Sequence, residues 1–261
     1  MCCLFLAASS TVAIAQTSVV DLVNPIIGTN GMGHTFPGAC VPFGLVQLSP
    51  DTDTIPHNVD GKYQPRSYEY CAGYQHKDSS IVGFSHTHFS GTGHSDLGDI
   101  LIMPTTGTLK LNPGTATNPD GGYRSRFSHG TEISRPGYYE VMLTDYGVKA
   151  QLTTTQRVGI HKYTYPTNSE NQRIILDMIH GIYNYDGKVL WTNIRVENDT
   201  LVTGYRITNG WARTNYTYFA MSFSKPITHY GCEEKAKVNY RGGYAKFNMK
   251  ENFPDIGGRK I

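Results

Sequence analysis

We predict an all-β fold, a large antiparallel β-sandwich, for this chain of 261 residues. The composition is rich in turn and strand residues, with 28 Gly, 13 Pro and 18 Tyr. Short segments of β-branched and aromatic residues recur along the chain, separated by Gly, Pro, Asn and Asp clusters at intervals of about 8–12 residues. No apolar stripe of helical period extends beyond a couple of turns. These observations favour one β domain.

The predicted strands follow each other without a linker or an internal repeat. In chain order they are "GLVQLSP", "VGFSHTHF", "DILIMPT", "YYEVMLTD", "VKAQLTTTQRVGIHKYTYP", "QRIILDMI", "KVLWTNIRVEND", "LVTGYRITNGW", "YTYFAMSFSKPI" and "AKVNYRG". The clearest alternation places Val148, Ala150 and Leu152 on one face of a strand. The tripeptide Asn198 to Thr200 reads as a hairpin turn.

The N-terminus resembles a secretory signal. Residues 1–15 hold a short apolar run that ends in the small residues Ala13 to Ala15, although the usual basic opening is missing. We therefore predict a signal peptide over 1–15 and a sandwich domain over 16–261, with a periplasmic or secreted location. The apolar run is too short to span a bilayer.

Charge and cysteine pattern exclude several classes. The formal net charge is +2, and the basic residues are scattered, so no nucleic-acid partner is expected. No C-x-x-C pair occurs, which argues against a cysteine zinc site. Neutral, hydrogen-bonding substrates fit this surface better.

The stretch "IVGFSHTHFSGTGHSDLGDI" concentrates the chemistry. If its strand runs through Phe89, His86 and His88 point to one face and could bind a metal together with His94. Asp96 and Asp99 could instead be the acid and base of a glycosidase, or simply cap exposed backbone N–H groups in a turn. Either histidine could equally form buried hydrogen bonds.

A third interpretation is a lip that binds a neutral polyol. The neighbouring run "SYEYCAGY" offers Tyr68, Tyr70 and Tyr74 as flat faces with hydroxyl tips. Together with Glu69, His86 and His88, these side chains could orient a sugar.

Three long blocks resemble glycoside hydrolase family 92, the α-mannosidases. They are "VDLVNPIIGTNGMGHTFPGACVPFGLVQLSPDT", "YCAGYQHKDSSIVGFSHTHFSGTGHSDLGDILIMPTTG" and "SRPGYYEVMLTDYGVKAQLTTTQRVGIHKYTYP". The resemblance covers nearly the whole chain from Val20 onward. It implies a calcium-dependent, inverting exo-α-mannosidase of bacteria that removes terminal α-mannosyl residues from glycans, including N-glycans.

The resemblance also implies a division of labour. Such enzymes join an N-terminal supersandwich, of the galactose-mutarotase-like type, to a C-terminal (α/α)₆ barrel that holds the acid, the base and the calcium ligands. The present chain then lacks the barrel and the last sandwich strands. We expect no catalytic residue, no metal ligand and no activity in this piece alone.

By the same resemblance, seven residues lie at or near the rim of the substrate pocket. Tyr68 stands where relatives carry a tryptophan and Glu69 where they carry an acidic neighbour, while His94 replaces a cysteine. The predicted substrate-binding residues are Tyr68, Glu69, Cys71, Gly73, His86, His88 and Asp96. The loop "GTNGMGHTFPGACVPFG" is expected to meet the barrel and to expose apolar area around Phe36 and Phe43. Two alternatives stay open: a free-standing carbohydrate-binding sandwich, and a metal-dependent enzyme using His86 and His88.

Overall fold

The computed structural model describes residues 18–91, 96–182, 185 and 187–232. Within these ranges the regular structure consists of β-strands and four short 3₁₀ turns, which confirms the all-β prediction. The strands are β1 (Ala39–Cys40), β2 (Gln47–Asp51), β3 (Asn58–Val59), β4 (Lys62–Tyr63), β5 (Ser80–Ile81), β6 (Gly83–Ser85), β7 (Leu101–Thr105), β8 (Ser125–Arg126), β9 (Ile133–Arg135), β10 (Tyr138–Leu143), β11 (Val148–Thr154), β12 (Gly159–Thr164), β13 (Arg173–Asp177), β14 (Val189–Asn198), β15 (Leu201–Thr208) and β16 (Asn215–Ser222). The 3₁₀ turns are Val19–Leu22, Pro65–Tyr70, Pro119–Gly121 and His129–Thr131.

Three antiparallel sheets make up the body of the domain. The five-stranded sheet has the order β1-β2-β6-β7-β13, the four-stranded sheet the order β12-β11-β10-β9, and the three-stranded sheet the order β14-β15-β16. Two short pairs, β3-β4 and β5-β8, complete the pairing.

The five-stranded sheet is the middle layer of three. Leu101 and Met103 of β7 pack in one apolar cluster with residues of β10 and β11. Ile102, on the opposite face of the same strand, packs in a second cluster with Ile194 of β14 and Val202 of β15. Every residue of β7 is therefore buried. Each large aliphatic side chain buried in this way contributes roughly 1.5–3 kcal/mol to the free energy of unfolding. This arrangement of three packed sheets is the supersandwich that the sequence predicts.

Local predictions hold where alternation is strict. Strand β11 buries Val148, Ala150 and Leu152, with half-buried side chains between them. The turn after Asn198 joins β14 to β15, and the Asn198 side chain accepts a hydrogen bond from the N–H of Thr200 at 2.9 Å.

One predicted strand is shorter than expected. The segment "VGFSHTHF" is extended only as β6, which ends at Ser85, so His86 and His88 lie in the following loop rather than on one strand face. The expectation that they point the same way through strand alternation is therefore wrong. The regular register contacts of β6 end with Ser85 opposite Ser49 of β2 and Phe84 opposite Ile102 of β7. Beyond them, single backbone hydrogen bonds of His86 with Gln47 and Asp99 continue the pairing.

Several predictions fall outside the described residues. These are the signal peptide at 1–15, His94 and the predicted strand "AKVNYRG", which lies after residue 232. Among the described residues, no helix has the length and apolar character needed to cross a lipid bilayer.

Candidate functional site

The 3₁₀ turn Pro65–Tyr70 and the residues just after it carry four of the seven predicted site residues. Tyr68 is 36% exposed, and half-buried Glu69 forms an ion pair with Lys77. The buried Cys71 thiol donates a hydrogen bond to the carbonyl of Tyr68 at 2.7 Å. The turn thus presents Tyr68 and Glu69 outward and turns Cys71 inward.

The other two tyrosines of the proposed sugar-binding group do not reach the surface. Tyr70 and Tyr74 are both buried, and their hydroxyls donate to Asp78 and Glu132. Of these three tyrosines only Tyr68 is exposed, so the expectation that all three offer flat faces to a sugar is wrong.

Gly73, the fourth of these residues, makes room for a buried polar bridge. Its φ is +78°, and a Cβ placed there would lie 1.9 Å from Asp51 Oδ1 and 3.1 Å from His88 Nε2. A side chain at this position would therefore collide with a carboxylate and an imidazole at once. Glycine supplies both the left-handed backbone and the space.

Asp51, the last residue of β2, bridges two histidines. Its Oδ1 lies 2.8 Å from His88 Nε2, and its Oδ2 lies 2.7 Å from His180 Nε2. All three side chains are buried. Burial alone raises the pKa of Asp51, but the charges and hydrogen bonds of His88 and His180 outweigh it and hold the pKa well below its ordinary value. The carboxylate is therefore ionised.

Both ring nitrogens of His88 are engaged within the protein. Its Nδ1 lies 2.8 Å from the carbonyl oxygen of Gln47, which can only accept. Its Nε2 lies 2.8 Å from Asp51 Oδ1 and 3.1 Å from the Ser85 hydroxyl. Neither nitrogen is available to a metal.

A second group of buried charges lies beside this bridge. Arg206 Nε lies 3.2 Å from Asp99 Oδ1, and both side chains are buried. Arg206 also donates to the carbonyl of His180, which connects this group to the Asp51 bridge. Arg206 thus holds Asp99 in an ion pair, which favours the structural alternative over an acid–base role for Asp99. Lys188 lies in the same group, and burial, followed by the nearby charge of Arg206, lowers its pKa to about 7.

His86 belongs to a different hydrogen-bond chain. Tyr163 donates to His161 Nδ1 at 2.7 Å, His161 Nε2 lies 3.0 Å from His86 Nε2, and His86 Nδ1 lies 2.7 Å from the carbonyl of Ile100. Because that carbonyl only accepts, His86 Nδ1 carries the hydrogen and its Nε2 accepts from His161. Burial lowers the pKa of His86 to about 4 and also holds the pKa of His161 well below its ordinary value, so both rings are neutral. These hydrogen bonds occupy both ring nitrogens of His86, which disfavours the metal-dependent alternative.

Asp96 supports a turn of the three-stranded sheet. Its carboxylate accepts hydrogen bonds from the backbone N–H of Trp211 at 2.9 Å and of Ala212 at 3.2 Å, just after β15. This is the capping role weighed for the aspartates of the loop. It also brings Asp96 beside an exposed indole, because Trp211 is 79% exposed.

The loop predicted to meet a second domain is strained and partly apolar. His34 and Phe43 have φ of 50° and 58°, a region that non-glycine residues rarely adopt. Phe43 is fully exposed, whereas Phe36 is half-buried against the His88 ring. His34 packs edge-on against Tyr68 at 4.7 Å, and its buried Nε2 has no hydrogen-bond partner among the described residues.

The structure brings together most, but not all, of the predicted residues. Gly73 and His88 meet at Asp51, and Cys71 packs on Ile182, two residues beyond His180. Placement at a substrate pocket remains a prediction for all seven residues. Four residues that complete the buried cluster were not predicted from the sequence: Asp51, His180, Lys188 and Arg206. Nor was His34, which packs on Tyr68. A polar residue directly at the end of an apolar strand, as in "QLSPD" and "ILDMIH", was the available signal.

Comparison with known proteins identifies the class. The profile described as "Glycosyl hydrolase family 92 N-terminal domain" matches residues 22–254. The fold and this match define the class as the N-terminal β-sandwich domain of that family, and the chain belongs to glycosyl hydrolase family 92.

Solved structures agree. The chain resembles the family GH92 α-mannosidase BT3965 of Bacteroides thetaiotaomicron, solved with mannoimidazole, at 39% identity and a TM-score of 0.76, over 93% of this chain and 30% of that one. It also resembles the inverting mannosidase BT2199 of the same organism at 26% identity and a TM-score of 0.62, over 85% and 27% of the two chains. An uncharacterized secreted glycosidase of Arthroderma benhamiae is 28% identical over 62% of this chain and 19% of that protein. The chain thus spans about a third or less of the length of these relatives.

Proposed function

We propose that this chain is the pocket-shaping N-terminal domain of an inverting exo-α-mannosidase that acts on terminal α-mannosyl residues of glycans. The observation that carries the proposal is the family match over 22–254 together with the similarity to an α-mannosidase across 93% of the chain. We further propose that the complete enzyme is secreted or periplasmic and depends on calcium.

The described residues support a helper role rather than catalysis. Inversion at a sugar needs two carboxyl groups about 6.5–9.5 Å apart with room for a water molecule. Asp51 and Asp99 are buried and paired with cations, and Asp96 holds a backbone turn. The two catalytic carboxyl groups are therefore proposed to come from the part of the enzyme that lies beyond this chain, as an (α/α)₆ barrel.

Calcium does not fit the described residues of the candidate site. This ion takes six to eight oxygen ligands. The donors gathered around Asp51 are imidazole nitrogens, and its carboxylate oxygens already accept from His88 and His180. Calcium ligands are accordingly proposed on the partner domain.

An exposed apolar surface suits such a partner domain. Ile27, Met32, Phe43 and Leu45 are all largely exposed on or next to the strained loop. Apolar area of this kind is normally covered in a folded protein. Beside it, Tyr68 and the unpartnered Nε2 of His34 supply the aromatic edge and the polar atom that would orient a sugar hydroxyl.

The experiment compares this chain with the protein encoded by the complete reading frame. On α-mannobioses, the complete protein should release β-mannose first, detected by NMR, and EDTA should abolish the activity until calcium is restored. The present chain should show no turnover. Turnover by the present chain, or retention of the anomeric configuration by the complete protein, would contradict the proposal. A reading frame that ends at Ile261, with α-mannoside binding by the chain itself, would favour the free-standing sugar-binding sandwich.

A further inference from the structure

Two histidines and a glutamate converge outside the candidate site. Ligand atoms of His76, His129 and Glu132 all lie within 4.8 Å of one another. The ring centroids of His76 and His129 are 4.0 Å apart, and His129 Nδ1 lies 2.8 Å from Glu132 Oε2. None of these residues takes part in the Asp51 bridge or in the His86 chain.

Local structure brings the three residues together. Ser128 caps the 3₁₀ turn His129–Thr131 by accepting a hydrogen bond from the N–H of Gly130, so His129 and Glu132 sit three residues apart on one side of the turn. His76 comes from the loop before β5, where its backbone N–H donates to the carbonyl of Thr29 at 2.8 Å. The cluster therefore joins two separate segments of the chain.

The Glu132 carboxylate is buried and held by hydrogen bonds. The Glu132 side chain is only 3% exposed. The hydroxyls of Tyr74 and Tyr139, both buried, donate to it at 2.9 Å and 2.6 Å. Outer hydrogen bonds of this type are what orients the carboxylate ligand of a metal.

The donor set selects the class of ion. Two imidazole nitrogens and one carboxylate suit a borderline transition metal such as zinc, whereas calcium prefers oxygen ligands alone. His129 is 38% exposed, which leaves an open side for water as a fourth ligand. Tetrahedral zinc would hold its ligand atoms about 3.3 Å apart. His129 Nδ1 and Glu132 Oε2 therefore need to separate by about half an ångström, and any pair near the 4.8 Å limit has to approach by about 1.5 Å.

We propose that His76, His129 and Glu132 form a zinc-class metal site that fastens the loop before β5 to the turn before β9. The site is independent of the mannosidase proposal. It requires no catalytic role, because three ligands on two segments suffice to stabilise their contact.

Zinc titration of the purified, metal-stripped chain tests the site. Exposed Cys40 and Cys232 are alkylated first together with Cys2 and Cys3, since thiolates bind zinc on their own. Calorimetry should then show one zinc per chain with micromolar affinity, cobalt should give a tetrahedral visible spectrum, and calcium should not bind. Zinc at a hundred times its Kd should raise the Tm by about 5–10 °C.

Variants separate this site from adventitious binding. His76→Ala and His129→Ala should each weaken zinc binding at least tenfold, and the exposed control His229→Ala should leave it unchanged. Tyr139→Phe keeps the ring in the core while removing one donor to Glu132, and should cost about 10–100-fold in affinity. No zinc binding by the parent chain, or equal affinity in the parent, His76→Ala and His129→Ala, would show that the cluster is only a hydrogen-bonded group.

Discussion

Replacing Gly73 by alanine tests the buried bridge with a single methyl group. The added Cβ would lie 1.9 Å from Asp51 Oδ1, far inside any allowed contact, and 3.1 Å from His88 Nε2. Asp51 sits at the end of β2 and cannot retreat without leaving His88 or His180. We therefore expect Gly73→Ala to break at least one of its two charged hydrogen bonds.

The expected loss has two parts. Forcing alanine into a left-handed backbone costs about 1–2 kcal/mol. Breaking a buried ion pair costs about 3–5 kcal/mol, because an uncompensated charge stays buried. The sum of roughly 4–7 kcal/mol is a large share of the 5–15 kcal/mol typical of a folded domain. At about 2–4 °C for each kcal/mol, the Tm should fall by roughly 8–28 °C.

Gly61 provides a matched control. Its φ is also +78°, but a Cβ there would meet nothing within 4 Å. Gly61→Ala therefore reports the backbone cost alone, and urea unfolding of both variants isolates the cost of disturbing Asp51. If the two variants lose the same unfolding free energy, the bridge does not depend on the space at Gly73 and the reasoning is refuted.

Three further predictions follow from the same geometry. The pKa of His86 is 6.5 in its ordinary state and about 4 in the folded protein, so the unfolded state binds more protons between these two pH values. The unfolding free energy should therefore fall by roughly 3 kcal/mol as the pH is lowered from 6.5 to 4. His86→Phe should flatten this pH dependence in urea titrations. Folding lowers the pKa of Lys188 from 10.5 to about 7, so the unfolding free energy should rise with pH between these values. Lys188→Met should be more stable than the parent at pH 6 by roughly 1–3 kcal/mol. If the pH dependence is the same in both proteins, Lys188 is not a buried neutral lysine. In the complete enzyme, Glu69→Ala should lower kcat/KM while shifting Tm little, because the surface ion pair with Lys77 is worth at most about 1 kcal/mol; a large Tm loss with unchanged kinetics would assign Glu69 a structural role.

Sequence reasoning succeeded where one local rule governs the outcome. The alternation in β11 places Val148 and Leu152 in the core, and Asn198 closes the hairpin between β14 and β15, because period-two patterns and turn residues act over a few positions. It failed at β6, where the apolar and polar pattern continues through Phe89 but the regular strand ends at Ser85. Pairing depends on a neighbouring strand, and the segment itself does not encode it.

The candidate site was only half visible for the same reason. Motif likeness pointed to Gly73 and His88, yet Asp51 and His180, the two residues that complete the bridge with His88, lie 37 positions before it and 92 positions after it. Nothing local marks an aspartate as the partner of such distant histidines. Only the packing of the five-stranded sheet makes them neighbours.

By itself, the amino-acid order determined the all-β class, most strand positions and the family, since these depend on periodicity, turn residues and long shared motifs. The tertiary structure decided which polar residues meet and which proton each one holds. Burial and pairing across sheets set those properties: His88 faces a buried carboxylate and a carbonyl, whereas His86 lies between a carbonyl and a second imidazole and is a neutral ring.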